Sequence, residues 1–204
     1  MSVEDHYFSA SPSSPDERSP LTVELAGREV TVEVAPGIFS PGGLDKGTAV
    51  LLREVPDPPT HGAFLDLGCG WGPIALTLGL LSPEASVRAV DVNERAVDLC
   101  ERNAKALGLT GVAACAPDAV PADETYSRIW SNPPIRIGKK ALHTLLLTWL
   151  PRLEPGGEAY LVVQKNLGSD SLATWLGAHL PDGFVTDRLT SSKGFRVLRV
   201  RRSA

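Results

Sequence analysis

Phe64-Leu65-Asp66-Leu67-Gly68-Cys69-Gly70-Trp71-Gly72-Pro73 is the stretch that decides the fold. An apolar run closes on an acid, a glycine cluster follows, and Pro73 opens a helical pattern. These residues predict a buried strand, a tight turn that only glycine can make, and a helix N-terminus. Such a turn brings bare backbone close to a ligand. The spacing is Gly-x-Gly-x-Gly, and Pro73 stands where a dinucleotide fingerprint would place its third glycine. That counts against a nicotinamide dehydrogenase.

Outward from this stretch, strand and helix patterns alternate. Strands are expected over 63–67, 86–91, 112–115, 126–131, 157–163, 183–189 and 195–201, and helices over 73–81, 94–107, 139–150 and 170–180. Asn93 predicts the N-cap of the second helix and Gly108 its stop. Pro151 and the Pro155-Gly156-Gly157 turn close the third. The alternation predicts an α/β fold, a Rossmann-like, doubly wound and mostly parallel sheet of seven strands. The short link between the last two strands allows only an antiparallel terminal hairpin. Upstream, Leu21 to Leu25 and Val30 to Val34 alternate around Ala26-Gly27-Arg28, which predicts an N-terminal β-hairpin appendage over 21–36. Residues 37–48 are rich in glycine and proline, and Thr48 is the expected N-cap of a helix from Ala49. Residues 1–20, with His6-Tyr7-Phe8 and a Ser/Pro-rich tract, read as a flexible tail, or as a segment whose Tyr7 and Phe8 dock on the domain. One domain is expected over 21–204, with its Rossmann-like core over 63–204.

The chain has 204 residues, 43% of them hydrophobic, and a net charge of −4, so no global field draws it to nucleic acid or to a membrane. Cys69, Cys100 and Cys115 lack metal-ligand spacing, and no metal site is expected. No apolar run reaches the length of a membrane span and no signal-peptide pattern opens the chain, so a cytoplasmic protein is expected, monomeric or weakly dimeric.

Asp91 ends the second strand about 20 residues past the glycine turn, where an acid can accept from both hydroxyls of a ribose. Asp66 ends the first strand. Asp118 follows the third strand in Ala116-Pro117-Asp118-Ala119, where the residues alone read as a solvated loop. No histidine pairs with a nucleophile, so hydrolase triads have no support. Ser131-Asn132-Pro133-Pro134 follows the fourth strand. Its prolines fix backbone direction, and Asn132 adds a side-chain carbonyl. Together these carbonyls can take both hydrogens of a planar amino group and align it for reaction.

The first motif closely resembles that of the class I S-adenosylmethionine methyltransferases, and Asn-Pro-Pro resembles the motif of those acting on amides and base amino groups. Phe39-Ser40, Leu44-Asp45-Lys46-Gly47-Thr48, Asp66-Leu67-Gly68-Cys69-Gly70 and Ser131 to Ile135 with Gly138 resemble one family. It is the small-subunit ribosomal RNA guanine-N2 methyltransferases, in their catalytic C-terminal half. The resemblance implies S-adenosylmethionine as cofactor and RNA, in a ribosomal RNA or small-subunit particle, as partner. It implies Asn132, Pro133 and Pro134 as catalytic. It assigns the cofactor to Lys46, Thr48, Asp66, Gly68, Cys69, Gly70, Gly72, Asp91, Val92, Asp118, Ala119 and Asn132, and the substrate to Phe39, Ile135, Arg136, Lys139 and Phe195. Ile135 stands where related motifs have an aromatic ring, so stacking on the target base falls to Phe39, Phe195 or Arg136. Arg136, Lys139, Lys140, Lys165, Lys193 and Arg196 are expected on one basic rim, with Arg199, Arg201 and Arg202 on a solvated face. The rival readings are a protein-glutamine methyltransferase, a DNA or small-molecule amine methyltransferase, and a cofactor-binding RNA chaperone or scaffold without catalysis.

Overall fold

The computed structural model describes Ser14 and residues 16–204. His6, Tyr7 and Phe8 lie outside the described residues. The chain opens on the expected hairpin, β1 (Ser19–Leu25) and β2 (Arg28–Val34). Ala26 and Gly27 both take positive φ, 52° and 69°, as a two-residue hairpin turn requires. Helix α1 (Lys46–Glu54) comes next. The rest alternates as β3 (Ala63–Leu67), α2 (Pro73–Leu81), β4 (Ser86–Val90), α3 (Glu94–Ala106), β5 (Val112–Cys115), β6 (Tyr126–Ser131), α4 (Lys139–Trp149), β7 (Leu153–Gln164), α5 (Ser169–His179), β8 (Phe184–Ser192) and β9 (Phe195–Arg202).

The seven-stranded sheet has the order β5-β4-β3-β6-β7-β9-β8. β3 to β7 are parallel, and β9 runs antiparallel to both β7 and β8. Strand alternation divides the sheet's residues between two cores. Phe64, Val87, Ala89, Trp130, Tyr160 and Val162 face α1 and α2, whereas Leu65, Leu67, Ile129, Ala159 and Leu161 face α4 and α5. Both faces are covered, which is why the central strands read as continuous apolar runs.

Two expectations need correcting. Helix α1 starts three residues before the expected Ala49, because Asp45 and not Thr48 is its N-cap: the Asp45 carboxylate accepts from Gly47 N and Thr48 N at 2.7 and 3.1 Å. The turn expected at Pro155-Gly156-Gly157 is a bulge inside β7, where register shifts between Tyr126↔Leu153 and Arg128↔Glu158. On α3 the polar Asn103 is buried among the apolar residues Leu99, Cys100 and Ala104.

Asn103 explains how the hairpin is held. Its Oδ1 accepts from Glu33 N at 2.7 Å, and its Nδ2 donates to Glu33 O and Trp71 O at 3.0 and 2.9 Å. One amide thus ties β2 and the glycine turn to α3, while Leu25, Val32 and Val34 pack with Trp71, Leu76 and Leu99. Truncating it leaves buried backbone groups without partners, at roughly 1–3 kcal/mol each. Asn103→Ala is expected to lower unfolding stability by about 3 kcal/mol in urea titration. A loss below about 0.5 kcal/mol would show that water satisfies those groups instead.

Candidate active site

The carboxyl ends of β3, β4 and β6 meet at one crevice. After Leu67 the chain turns through Gly68, Gly70 and Gly72 at φ of 82°, 55° and 100°. The turn is tied to the neighbouring strand: Gly68 N and Cys69 N donate to Val90 O at 2.8 and 3.1 Å. Gly70 N donates to Asp91 Oδ2 at 2.9 Å, and Asn93 N to Asp91 Oδ1 at 2.9 Å. A Cβ on Gly72 would meet Cys100 Sγ at 2.8 Å, so this glycine is required by packing as well as by φ. A Cβ on Gly68 would meet nothing within 4 Å, and one on Gly70 only Phe39 O at 3.9 Å. Bare backbone faces open space there.

Two hollows lie at this end of the sheet, one at the turn and one beside α3. One, of about 320 Å³ counting space open to solvent, is lined by Phe39, Asp45, Thr48, Gly68, Gly70 and Asn132 among others. The second, of about 390 Å³ on the same basis, is lined by Asp91, Val92, Val97 and Ala116 with the acids Glu94, Asp98 and Glu101. The glycine turn and Asn132, 64 positions apart by Leu67 and Ser131, are drawn together by Ser131 Oγ, which donates to Leu67 O at 2.6 Å. Asn132 Nδ2 donates to Asp45 Oδ2 at 2.9 Å and to Thr48 Oγ1 at 3.1 Å. A carboxylate can only accept, so the amide's NH₂ end faces α1, leaving Oδ1 as the acceptor for other donors.

The electrostatics of the two acids differ. Asp66 is fully buried behind the turn, where its Oδ2 accepts from Ala75 N at 2.9 Å and its Oδ1 has no partner among the described residues. Desolvation pushes its pKa up to about 8. It orients the start of α2, and it is not on the crevice wall. Asp91 is also shifted upward by burial, against the lowering effect of the backbone N–H groups of Asn93, Gly70 and Val92. Cys69 is buried, and a hydrogen bond with Cys100 together with burial pushes its thiol pKa up. It fills space and is no nucleophile.

Other expected residues fall elsewhere. Lys46 is exposed at the first turn of α1, and Asp118 and Ala119 are exposed on a 3₁₀ turn beyond β5, outside both hollows. Ile135 packs against the α4–α5 core and not into the crevice. Pro134 lends its carbonyl to Ile137 N at 3.3 Å, so its contribution is shape. Phe39 is 48% exposed at the mouth. Phe195 lies beside α1, its Cε1 3.1 Å from where a Gly47 Cβ would be. Arg136 and Lys139 are exposed beyond the motif. Arg196 is ion-paired with Asp170, and Arg199 and Arg201 pair with Asp187, so these arginines are not a free basic face. Asp45 joins Asn132 through a bond that spans 87 residues and has no local signal in the sequence, where Thr48 offers a competing cap.

The glycine turn, the acid at the end of β4 and the Asn-Pro-Pro motif all stand at the carboxyl end of a seven-stranded sheet with the order and terminal hairpin of a Rossmann-like methyltransferase fold. The chain belongs to the methyltransferase small domain family, whose sequence model matches residues 29–199. It is 31% identical over 203 residues to the Uncharacterized protein YbxB of Bacillus subtilis, covering 98% of this chain and 100% of that one. It is 33% identical over 186 residues to the ribosomal RNA small subunit methyltransferase C of Pseudomonas aeruginosa, covering 89% of this chain and 54% of that protein. The chain spans about half the length of the curated ribosomal RNA methyltransferases it matches. In fold it is similar to the Thermus thermophilus 16S rRNA N2 methyltransferase RsmC, solved with AdoMet and guanosine. The TM-score is 0.78 at 24% identity, covering 94% of this chain and 52% of that one.

Asp66 gives a pH dependence with a defined sign. Unfolded, its carboxyl ionises near the ordinary value of 3.8; folded, it keeps its proton up to about pH 8. The folded state binds more protons across that window, so stability of the cofactor-free protein falls as pH rises from about 4 to about 8. Asp66→Asn is expected to flatten that slope in urea titrations repeated at several pH values. An unchanged slope would assign the proton to another group.

Proposed function

We propose that the chain is an N-methyltransferase acting on the exocyclic N2 amine of a guanine in small-subunit ribosomal RNA. The observation carrying this reading is the anchored Asn132 amide, whose NH₂ is committed to Asp45 and Thr48 and whose carbonyl is left for a donor at the crevice. An acceptor of that kind suits an amino group and does nothing for a hydroxyl that must lose its proton to a base. Asn132 Oδ1 and the Pro133 carbonyl take the two N–H hydrogens and orient the nitrogen. Pro134 holds the turn that presents them. No strong base is needed, because the amine becomes acidic only as it is alkylated. Alignment and fixed dipoles account for the rate.

Gly68 and Gly70 would hold the cofactor through bare backbone, Asp91 through its carboxylate, and Val92 and Ala116 through apolar contact. The cofactor supplies an electrophilic methyl group on a sulfonium. With Ile135 turned to one core and Phe195 packed against the other, Phe39 offers the aromatic face for a base. Residues 21–204 act as one catalytic unit.

RNA as the substrate class is supported by charge placement. Five of the six lysines, Lys46, Lys139, Lys140, Lys165 and Lys193, lie at the crevice end of the sheet, all exposed. None of them is ion-paired among the described residues, whereas most arginines whose contacts are resolved are held by acids. Unpaired lysines on one rim suit phosphate contacts even on a chain of net charge −4. The named relatives that methylate small-subunit ribosomal RNA support the same target.

The test is incubation with methyl-labelled S-adenosylmethionine and, in separate arms, naked small-subunit rRNA, small-subunit particles, protein extract and DNA. Nucleoside digestion should return labelled N2-methylguanosine from the rRNA or particle arm. Label in glutamine, in adenine or in no arm would overturn the target. Asn132→Ala should bind cofactor with unchanged Kd and lose kcat by about 10²-fold or more. Replacing Lys139 and Lys140 with alanine should lower the dependence of RNA affinity on salt.

A further inference from the structure

Asp45 gathers more hydrogen bonds than a helix cap needs. Its Oδ2 accepts from Gly47 N at 2.7 Å, from Thr48 N at 3.1 Å, and from Asn132 Nδ2 at 2.9 Å. The first two cap α1, and a serine would serve them as well. The third reaches across the crevice to another strand end. Gly47 is shaped around that third bond. A Cβ there would stand 2.9 Å from Asp45 Oδ2, 3.4 Å from Asn132 Nδ2 and 3.1 Å from Phe195 Cε1. Only a residue without a side chain lets the carboxylate and the amide close on each other.

From this geometry we infer that Asp45 is a positioning residue for methyl transfer, acting through Asn132. It does so in two ways. It fixes the sense of the amide, since an amide turned over would set Oδ1 against a carboxylate oxygen. It also places a negative charge against the NH₂ end, which draws electron density along the amide to Oδ1 and makes that carbonyl a stronger acceptor. The target nitrogen gains positive charge as it is methylated, and its N–H groups then donate more strongly. A strengthened Oδ1 therefore stabilises the transition state more than the bound substrate, and Asp45 should show in kcat and not in KM. Thr48 Oγ1, at 3.1 Å from the same nitrogen, is the second anchor. This inference rests on the proposed function, in that the reacting group is an amine.

Two variants separate the role from capping. Asp45→Ser keeps a competent cap but is too short to reach Asn132. It is expected to retain the wild-type Tm and cofactor Kd, with kcat lower by about 10²-fold and KM for RNA unchanged. Asp45→Asn keeps an acceptor but removes the charge, and its kcat should fall by about tenfold. A wild-type kcat in Asp45→Ser, or a loss explained by cofactor Kd or by KM, would reduce Asp45 to a helix cap. A second readout needs no substrate. The side-chain amide protons of Asn132, identified by their disappearance in Asn132→Ala, should exchange with water at least about tenfold faster in Asp45→Ser. Unchanged exchange overturns the inference. If the wild-type protein methylates no RNA, the proposed function fails while these resonances still decide the part played by Asp45.

Discussion

Everything at the site is registered on the hydrogen bonds between the glycine turn and the end of β4. Gly68 N and Cys69 N reach Val90 O, and Gly70 N reaches the Asp91 carboxylate one residue on. Strand pairing carries β3 and β4 to the same level, and these bonds continue the pairing past the point where the backbone must leave the sheet. Three residues at positive φ make that departure possible, and any side chain at Gly72 would push into Cys100. The result is a stretch of polar backbone facing open space beside a desolvated acid.

The two faces of the sheet do different work. α1, α2 and α3 lie on the side that forms the crevice, and α1 reaches across to fix Asn132. α4 and α5 fill the other side with apolar side chains that absorb Ile135. The N-terminal hairpin buttresses the crevice side from behind. Asn103 joins it to the glycine turn. Asn93 Nδ2 and Arg95 hold Gly37 O and Pro36 O at 2.8 and 2.6 Å, which sets the loop that carries Phe39 to the mouth. An appendage by sequence is therefore part of the site by contact.

Charge is sorted in the same way. Arginines are drawn into pairs, Arg18 with Asp98, Arg102 with Glu33, Arg88 with Glu124, Arg199 with Asp187, in keeping with a fork that matches a carboxylate. Lysines are left at the crevice rim as exposed point charges. A net acidic chain in this manner presents a local basic surface at the crevice end of the sheet.

Local rules wrote much of this into the sequence. The glycine turn, the N-cap at Asn93, the stop at Gly108 and the terminal hairpin each depend on residues within a few positions, so they are legible from the string. The parallel order follows too, since short links and helices leave few ways to connect the strands. What could not be read was anything settled between distant segments. The sequence points to Thr48 as the cap, whereas the fold puts Asp45 there and brings it to Asn132 just past β6. Ile135 and Val97 carry apolar side chains that suit a core or a crevice equally, and only the folded surroundings choose. Asp66 differs from any surface aspartate solely through its burial, a property of the assembled sheet and not of its neighbours in the chain.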